Sequence, residues 1–563
     1  MARKSYDAIV VGSGISGGWA AKELTEKGLE VLLLERGRPV EHGAGYVTEH
    51  RAAWELRFRG QGDRKRYAED QAVQSQTRFL DETIDHWFVN DREHPYKQDP
   101  DKPFLWIRGY HLGGRSIMWG RQSYRWSDLD FEANARDGVE VDWPIRYADL
   151  APWYDHVESF AGISGQAEGL PQLHDGDFLP PMPMNCVETM VKEKIENAFP
   201  ERRMTIGRSA VLTRDHRGRA ACHYCGPCWR GCSTGSYFST QSSTLPAAMA
   251  TGRLTVRTHS IVESVLYDEQ KDRATGVRVI DAQTREALEF DARVVFLCAS
   301  TLGSTQILLN SKTPRFPDGL GNSGGALGHY LMDHPFETGA YGFVEGHEDR
   351  YYLGNRPNGI YIPRFQNLDG QDRGRGFLRG YGFQGSARRA GWDRGLDSPE
   401  FGADFKRSLR DPGPWMMRII GFGECLPRYD NFVELDPDEK DSWGIPLLKA
   451  QATWSDNELA IKEDAQVTGA EMLEAAGVQD VVTFNHTSPP GLCIHEMGTA
   501  RMGRDPQTSV LNGHNQCHDA ANVFVTDGSC MTSSACQNPS LTYMALTARA
   551  ADYAVAELKK GNL

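Results

Sequence analysis

The chain has no long apolar run. No stretch approaches the roughly 18 residues that a membrane-spanning helix needs, so no direct membrane span is expected. It also has no basic excess: 62 Lys and Arg stand against 76 Asp and Glu, a formal net charge of −14. Such a chain is a poor match for nucleic acid or an anionic membrane surface, and neither is expected as a partner. No internal repeat or low-complexity segment occurs, which excludes solenoids and disordered arrays. The start, MARKSYDAIVVGSG, is basic but lacks a signal-peptide core. Its apolar run is short, carries Asp7 and runs into a glycine turn. The chain is therefore expected to fold in the cytoplasm. Cysteine is scarce, at 11 of 563 residues. In a reducing compartment these thiols argue for metal rather than disulfides.

Four of those cysteines nevertheless crowd into one stretch, ACHYCGPCWRGCST: Cys222, Cys225, Cys228 and Cys232. The spacing is C-x2-C-x2-C-x3-C. Tetrahedral zinc sites usually pair two C-x2-C knuckles across a longer loop, and no loop separates the pairs here. The run matches the bacterial ferredoxin pattern and points to an iron–sulfur cluster, [4Fe-4S] ahead of [3Fe-4S], with zinc as the rival reading. It departs from that pattern at Ser233, where ferredoxins carry proline. A cluster moves single electrons, so it needs a donor. Cys298, Cys425, Cys493, Cys530 and Cys536 read as buried thiols.

The donor is suggested by YDAIVVGSGISGGWAAKELTEKGLEVLLLERG. Tyr6 to Val11 has strand length, Gly12, Gly14 and Gly17 form G-x-G-x-x-G, and a helix pattern follows. A second strand, Glu30 to Leu34, ends at the acid Glu35. Glycines in that pattern allow a tight turn, close approach to a pyrophosphate and helix–strand packing, while the acid accepts from a ribose. Ser13, Ile15 and Ser16 fall inside the turn. Gly14-Ile15-Ser16-Gly17-Gly18 also fits the G-x-S-x-G elbow of hydrolases, but that elbow sits inside an established sheet, and only one strand precedes Ser16. At the far end, Val523 to Val525 reads as a strand running into Asp527-Gly528. Asn538-Pro539 then opens a helix whose positive N-terminus suits a reduced, anionic flavin.

Together these motifs resemble the glucose–methanol–choline (GMC) oxidoreductase family, nearly end to end. LGGRSIMWG (112–120) resembles the family's glycine turn against the flavin ring. VVFLCASTLGSTQILLNS, NSGGALGHYLMDHP, NPSLT and GLCIHEMGTARMG resemble further family segments. The last carries the position of the family's catalytic histidine, His495; the second family position falls on Asn538. The cysteine run narrows the resemblance to bacterial FAD-dependent sugar dehydrogenases with an iron–sulfur cluster, nearest to glucoside 3-dehydrogenases.

The resemblance implies an α/β fold, α+β overall. A Rossmann-like FAD-binding domain (1–40, 104–130, 240–338 and 510–563) is joined to a discontinuous substrate domain (41–103, 131–239 and 339–509) on a largely antiparallel sheet. The cysteine segment is 222–232. Residues 339–454 alternate short apolar strands with turns, RSLRDPGP and GQDRGRG read as loops, and 455–476 has helical spacing. The implied cofactor contacts add Arg36, Gly113, Gly114, Arg115, Ser116, Met118, Trp119, Gly120, Val262, Ala299, Asp527, Gly528, Pro539 and Ser540. Met118 replaces the histidine that bonds flavin covalently in pyranose oxidases, so the FAD is expected to be non-covalent.

The implied reaction oxidises a secondary hydroxyl of a sugar or glycoside, at C3, to a ketone. His495, with an imidazole near its ordinary ~6.5, takes the proton while hydride goes to flavin N5. Asn538 orients the same oxygen. Electrons then leave through the cluster to an external acceptor, with cytochrome c a candidate. Relatives of this kind are exported with a small subunit that carries the signal, which would place the enzyme in the periplasm. Two rivals are an oxygen-using oxidase with structural zinc and a non-catalytic electron-transfer flavoprotein.

Overall fold

The computed structural model describes residues 5–351, 354–368, 374–395 and 398–563. The first apolar run forms β1 (Ser5–Val11), followed by α1 (Ile15–Glu26) and the fully buried β2 (Val31–Leu34). The helical crossover returns β2 parallel to β1. β3 (Leu254–Arg257) extends the parallel edge beyond β2. β4 (Ser260–Asp268), β5 (Arg273–Asp281) and β6 (Ala287–Leu297) form an antiparallel meander, and β6 lies parallel to β1. The order is β3-β2-β1-β6-β5-β4, and α2 (Thr301–Asn310) leaves the end of β6.

The second sheet contains β7 (Thr338–Val344), β8 (Ile360–Ile362), β9 (Tyr381–Arg389) and β10 (Trp415–Gly423). After α3 (Asp456–Ala475), β11 (Gln479–Asn485) joins it. Its order is β11-β7-β10-β9-β8, with Thr205–Ile206 at the edge, and all pairs are antiparallel. Along β10, buried and half-buried residues alternate with the period of a strand that has one covered face. Trp415, Met417 and Ile419 share a core with Ile461 and Ala465 of α3. Phe422 of β10 and Gln384 of β9, on the other face, line a cavity between the two sheets.

Two sequence expectations change here. NFVELDP leaves the large antiparallel sheet and joins a separate three-stranded one (Phe432–Lys440, Pro446–Gln451 and Lys97–Gln98). The cause is local: the Asp441 side chain accepts from the Trp443 and Ile445 amides and folds that segment back as a hairpin. RSLRDPGP is only partly loop, because Arg407 and Ser408 end a short helix, Gly402–Ser408. In GQDRGRG, residues 370–373 lie outside the described residues.

β12 (Val523–Val525) returns from the far end of the chain and pairs parallel with the last three residues of β6. α4 (Ser540–Lys560) then packs across α1. The large sheet is thus assembled from stretches hundreds of residues apart. Among the described residues, no helix is long and apolar enough to cross a membrane.

Candidate active site

The cavity has a volume of about 410 Å³, and the glycine turn forms part of its wall. Gly12 has φ +93°, and a Cβ there would lie 2.4 Å from the Cys298 carbonyl oxygen. A Cβ on Gly17 would lie 1.8 Å from the Gly12 oxygen. Gly14 differs: its φ of −66° suits any residue, and a Cβ would meet nothing within 4 Å. Packing does not require glycine at this position, but the approach of a ligand would. The N-terminus of α1 begins there with no side-chain cap and no acid in its first turn. A bare helix N-terminus behind an open glycine fits the pyrophosphate of FAD.

Glu35 is fixed beside it. One oxygen accepts from the Gly37 amide at 2.8 Å, and the other accepts from the Ser13 amide and hydroxyl. Burial raises the Glu35 pKa, against the pull of those hydrogen bonds. Ser13 Oγ also accepts from the Gly113 amide at 2.8 Å, which ties the two glycine stretches together.

The other expected contacts are largely on the wall. Ser13, Ile15, Ser16, Glu35 and Arg36 line it near the first turn. Gly114, Arg115, Ser116, Met118, Trp119 and Gly120 line it from the second glycine stretch. Val262, Ala299, Asp527, Gly528, Asn538, Pro539 and Ser540 complete it. Gly17 and Gly113 are not on the wall; they shape the turns behind it. Ser16 Oγ donates to the Thr526 carbonyl at 3.1 Å, so this serine is a helix-to-sheet tie rather than the hydrolase nucleophile its motif imitates.

His495 reaches the same cavity and sits in a hydrogen-bond chain. His334 Nε2 lies 2.5 Å from the Ala535 carbonyl oxygen, which only accepts, so this nitrogen carries the proton. Neutral His334 then offers Nδ1 as an acceptor. His495 Nδ1, 2.8 Å away, donates to it. The lone pair of His495 is thereby assigned to Nε2, 3.3 Å from Asn538 Nδ2. Asn538 Oδ1 accepts from Gln384 Nε2 at 2.6 Å, which fixes the orientation of its amide.

Asp333 shapes the backbone beneath: its carboxylate accepts from the amides of Gly491, Cys493 and His495. Burial, with nearby Glu496 adding to it, pushes Asp333 up to about 7. Arg115 clasps Glu496 through two 2.8 Å bonds.

The imidazole is expected near 6.5 unless its pocket shifts it, and the pocket does. Burial, then the fields of His334 and Arg115, hold His495 well below that value. Burial likewise lowers His334 to about 4. Sequence reasoning assigned no role to His334, Asp333, Gln384 or Glu496. His334 and Asp333 do lie within NSGGALGHYLMDHP, whose buried polar pair was the available signal.

The cysteine segment has no regular element beyond a 3-10 turn, Cys228–Arg230. Cys222, Cys228 and Cys232 pack against a small buried cluster of Met182, Val211 and Tyr237, while Cys225 is exposed. Trp229 lines the cavity and meets Phe79 edge-on at 4.4 Å, so the loop borders the cofactor cavity. The Ser233 amide donates to Glu49 Oε1 at 2.8 Å. Proline has no N–H and could not make that bond, which accounts for the departure from the ferredoxin pattern. His42 Nε2 bonds the Ser233 carbonyl at 3.1 Å, and the Asn355 amide donates to the Tyr224 carbonyl at 2.8 Å.

Among the described residues, the only three metal-capable donors within 4.8 Å of one another belong to His334, Cys493 and His495. The four loop sulfurs are therefore spread more widely than a zinc tetrahedron, whose ~2.3 Å bonds place sulfurs about 3.8 Å apart.

Residues 6–336 and 427–547 match the N- and C-terminal family models described as GMC oxidoreductase. The chain is 31% identical to 2-methyl-1,2-propanediol dehydrogenase of Mycolicibacterium austroafricanum, covering 97% of this chain and 94% of that protein. It is 25% identical to the fructose dehydrogenase large subunit of Gluconobacter japonicus, covering 99% of each. A formate oxidase variant of Aspergillus oryzae, solved to study its FAD modification, superposes over 100% of both chains with a TM-score of 0.62 at 14% identity. That last likeness concerns the fold alone.

Proposed function

The chain belongs to the GMC oxidoreductase family, and on that premise we propose that it is an FAD-dependent dehydrogenase oxidising a secondary hydroxyl of a sugar or glycoside. The observation that carries the reading is the chain Ala535–His334–His495–Asn538–Gln384, whose hydrogen bonds assign the accepting ring nitrogen at the cavity to His495 Nε2.

When bound, FAD supplies the hydride acceptor. His495 Nε2 accepts the hydroxyl proton. Asn538 Nδ2 donates to the same oxygen and holds it in line. As His495 takes its second proton, His334 Nδ1 still accepts from the opposite nitrogen and steadies the cation. Residues 337–426 fall between the two family matches and supply Gln384 and Phe422 to the wall, and in this reading they carry the specificity for the alcohol.

In this reading the product is a 3-keto sugar. Cys222, Cys225, Cys228 and Cys232 hold an iron–sulfur cluster, which supplies one-electron transfer to an external acceptor such as a cytochrome c. A small export subunit and a periplasmic location belong to the same proposal, supported by likeness to a protein named as a large subunit.

The test is anaerobic addition of a sugar panel to the purified protein, with the flavin band, iron and acid-labile sulfide measured. Bleaching by a glycoside, iron with sulfide, and a 3-keto product are expected. Failure of every sugar and alcohol to bleach the flavin favours a non-catalytic electron carrier. Zinc without iron, together with fast peroxide formation in air, favours the oxidase.

A further inference from the structure

Most buried arginines of this protein meet a carboxylate. Arg125 reaches Glu158, Arg208 reaches Asp175, and Arg364 reaches Glu424. Arg389, which donates to four backbone carbonyls, does not, and neither do two beside the cysteine loop. Arg121 is 1% exposed, and its guanidinium donates only to backbone carbonyls: those of Ser116, Ile117, Trp119 and Phe238. Arg219 is 5% exposed and donates to the carbonyls of Phe160 and Ala161, while its Nη1 has no partner. A buried cation without an anion costs several kcal/mol, so the missing partner calls for explanation.

Both cations lie beside the cysteine loop: the stem of Arg219 passes 3.1 Å from where a Gly235 Cβ would stand, and the Gly235 amide donates to the Cys232 carbonyl. The Arg121 guanidinium lies 3.4 Å from the centre of the Tyr237 ring, and Cys222, Cys228 and Cys232 pack against the small cluster that Tyr237 forms with Met182 and Val211. Arg121 also has a left-handed backbone, φ +57°, which a non-glycine residue holds only at some cost. Burial lowers the Arg121 pKa from its ordinary value. Burial lowers Arg219 to about 10, Arg217 adds to that, and Cys232 opposes it.

We propose that Arg121 and Arg219 are the fixed counter-charges of the cysteine site, two buried cations that compensate an anionic metal–thiolate centre and hold its reduction potential up. The inference rests on the iron–sulfur reading of the four cysteines. A centre ligated by four thiolates is anionic, and each added electron makes it more so, so net charge around it sets its potential. Arg121 adds a second property: it also brackets the 116–119 backbone of the cofactor cavity, so one side chain spans both redox sites.

The test is a redox titration of the cluster signal in FAD-loaded protein, read by EPR, with iron and sulfide counted. Arg219→Met and Arg219→Lys carry the decision, because Arg219 does not line the cofactor cavity; Arg121→Met and Arg121→Lys repeat it nearer the flavin. The expected result is a lower cluster midpoint potential in each Met variant, restored by Lys. Loss of iron in Met but not Lys variants supports the same conclusion. Met variants with full iron and the wild-type potential overturn the inference, as does equal iron loss in Lys and Met, which marks the arginines as backbone brackets only. Wild-type protein without iron or sulfide sinks the cluster reading itself, and this inference with it.

Discussion

The glycine turn and the cysteine loop each read as a ligand site, yet the protein builds them in opposite ways. The turn is complete in the protein alone. Backbone fixes Gly12 and Gly17, and Ser13 and Glu35 are bonded in place. The loop has one short 3-10 turn, no three sulfurs within 4.8 Å of one another, and hydrogen bonds with Glu49, His42 and Asn355 and, from Arg230, to the Thr48 and Arg51 carbonyls. The first site is organised in the protein alone; on the proposed cluster reading, the second takes part of its organisation from the metal.

The sharpest way to break this contrast is inside the turn. Gly17→Ala should abolish FAD binding and stable folding, because its Cβ would lie 1.8 Å from a backbone oxygen. Gly14→Ala should fold with a near-normal melting temperature and yet retain less FAD, since its Cβ enters open space. Equal behaviour of the two variants in melting and flavin retention would remove the distinction.

His495 lies on the preorganised side. His495→Ala should keep its FAD but slow flavin reduction by substrate roughly 10²- to 10⁴-fold, about 3 to 5 kcal/mol of barrier, in stopped-flow. The base acts neutral, and burial first, then His334 and Arg115, hold its pKa well below 6.5. Wild-type reduction should therefore stay level as pH falls through 6.5 and decline only well below it. A midpoint near 6.5 would show an imidazole that the pocket does not shift.

On the ligand-organised side, Cys228→Ser should lose iron while substrate still bleaches the flavin, and turnover with an external acceptor should fall. Normal turnover in iron-free protein would show that the loop is not the exit. The smallest effect is expected from Ser233→Pro, which removes the amide and hydroxyl hydrogen bonds to Glu49, each worth about 1.5–3 kcal/mol. Iron should leave this variant faster in a chelator challenge. Unchanged release would mean the clamp contributes nothing to retention.

What the sequence revealed follows the same division. G-x-G-x-x-G and the cysteine run are legible because their chemistry is encoded in spacing along a few residues. His495 and Asn538 became legible only through family resemblance. His334 and Gln384 were invisible because their partners lie far away in sequence: His334 to His495 spans 161 residues, and Gln384 to Asn538 spans 154. β9 was missed because YGFQGSARR mixes glycines and arginines into a strand whose interior position comes from neighbours on both sides. Arg121 was one basic residue among 62 until its missing carboxylate and the Tyr237 ring gave it a setting.

The strand β12 has a consequence for how the protein is made. The last three residues of β6 find their outer partner only when Val523–Val525 arrives, and Ser16 at the first turn bonds a carbonyl 510 residues downstream. A ribosome has emitted nearly the whole chain before the cofactor's walls meet. Until then the nascent polypeptide carries an unpaired strand edge, the kind of surface that chaperones hold and that crowding turns into aggregates. Production should therefore be limited by the time between synthesis of the first turn and release of the last helix, and slow elongation or early truncation should yield insoluble, flavin-free product.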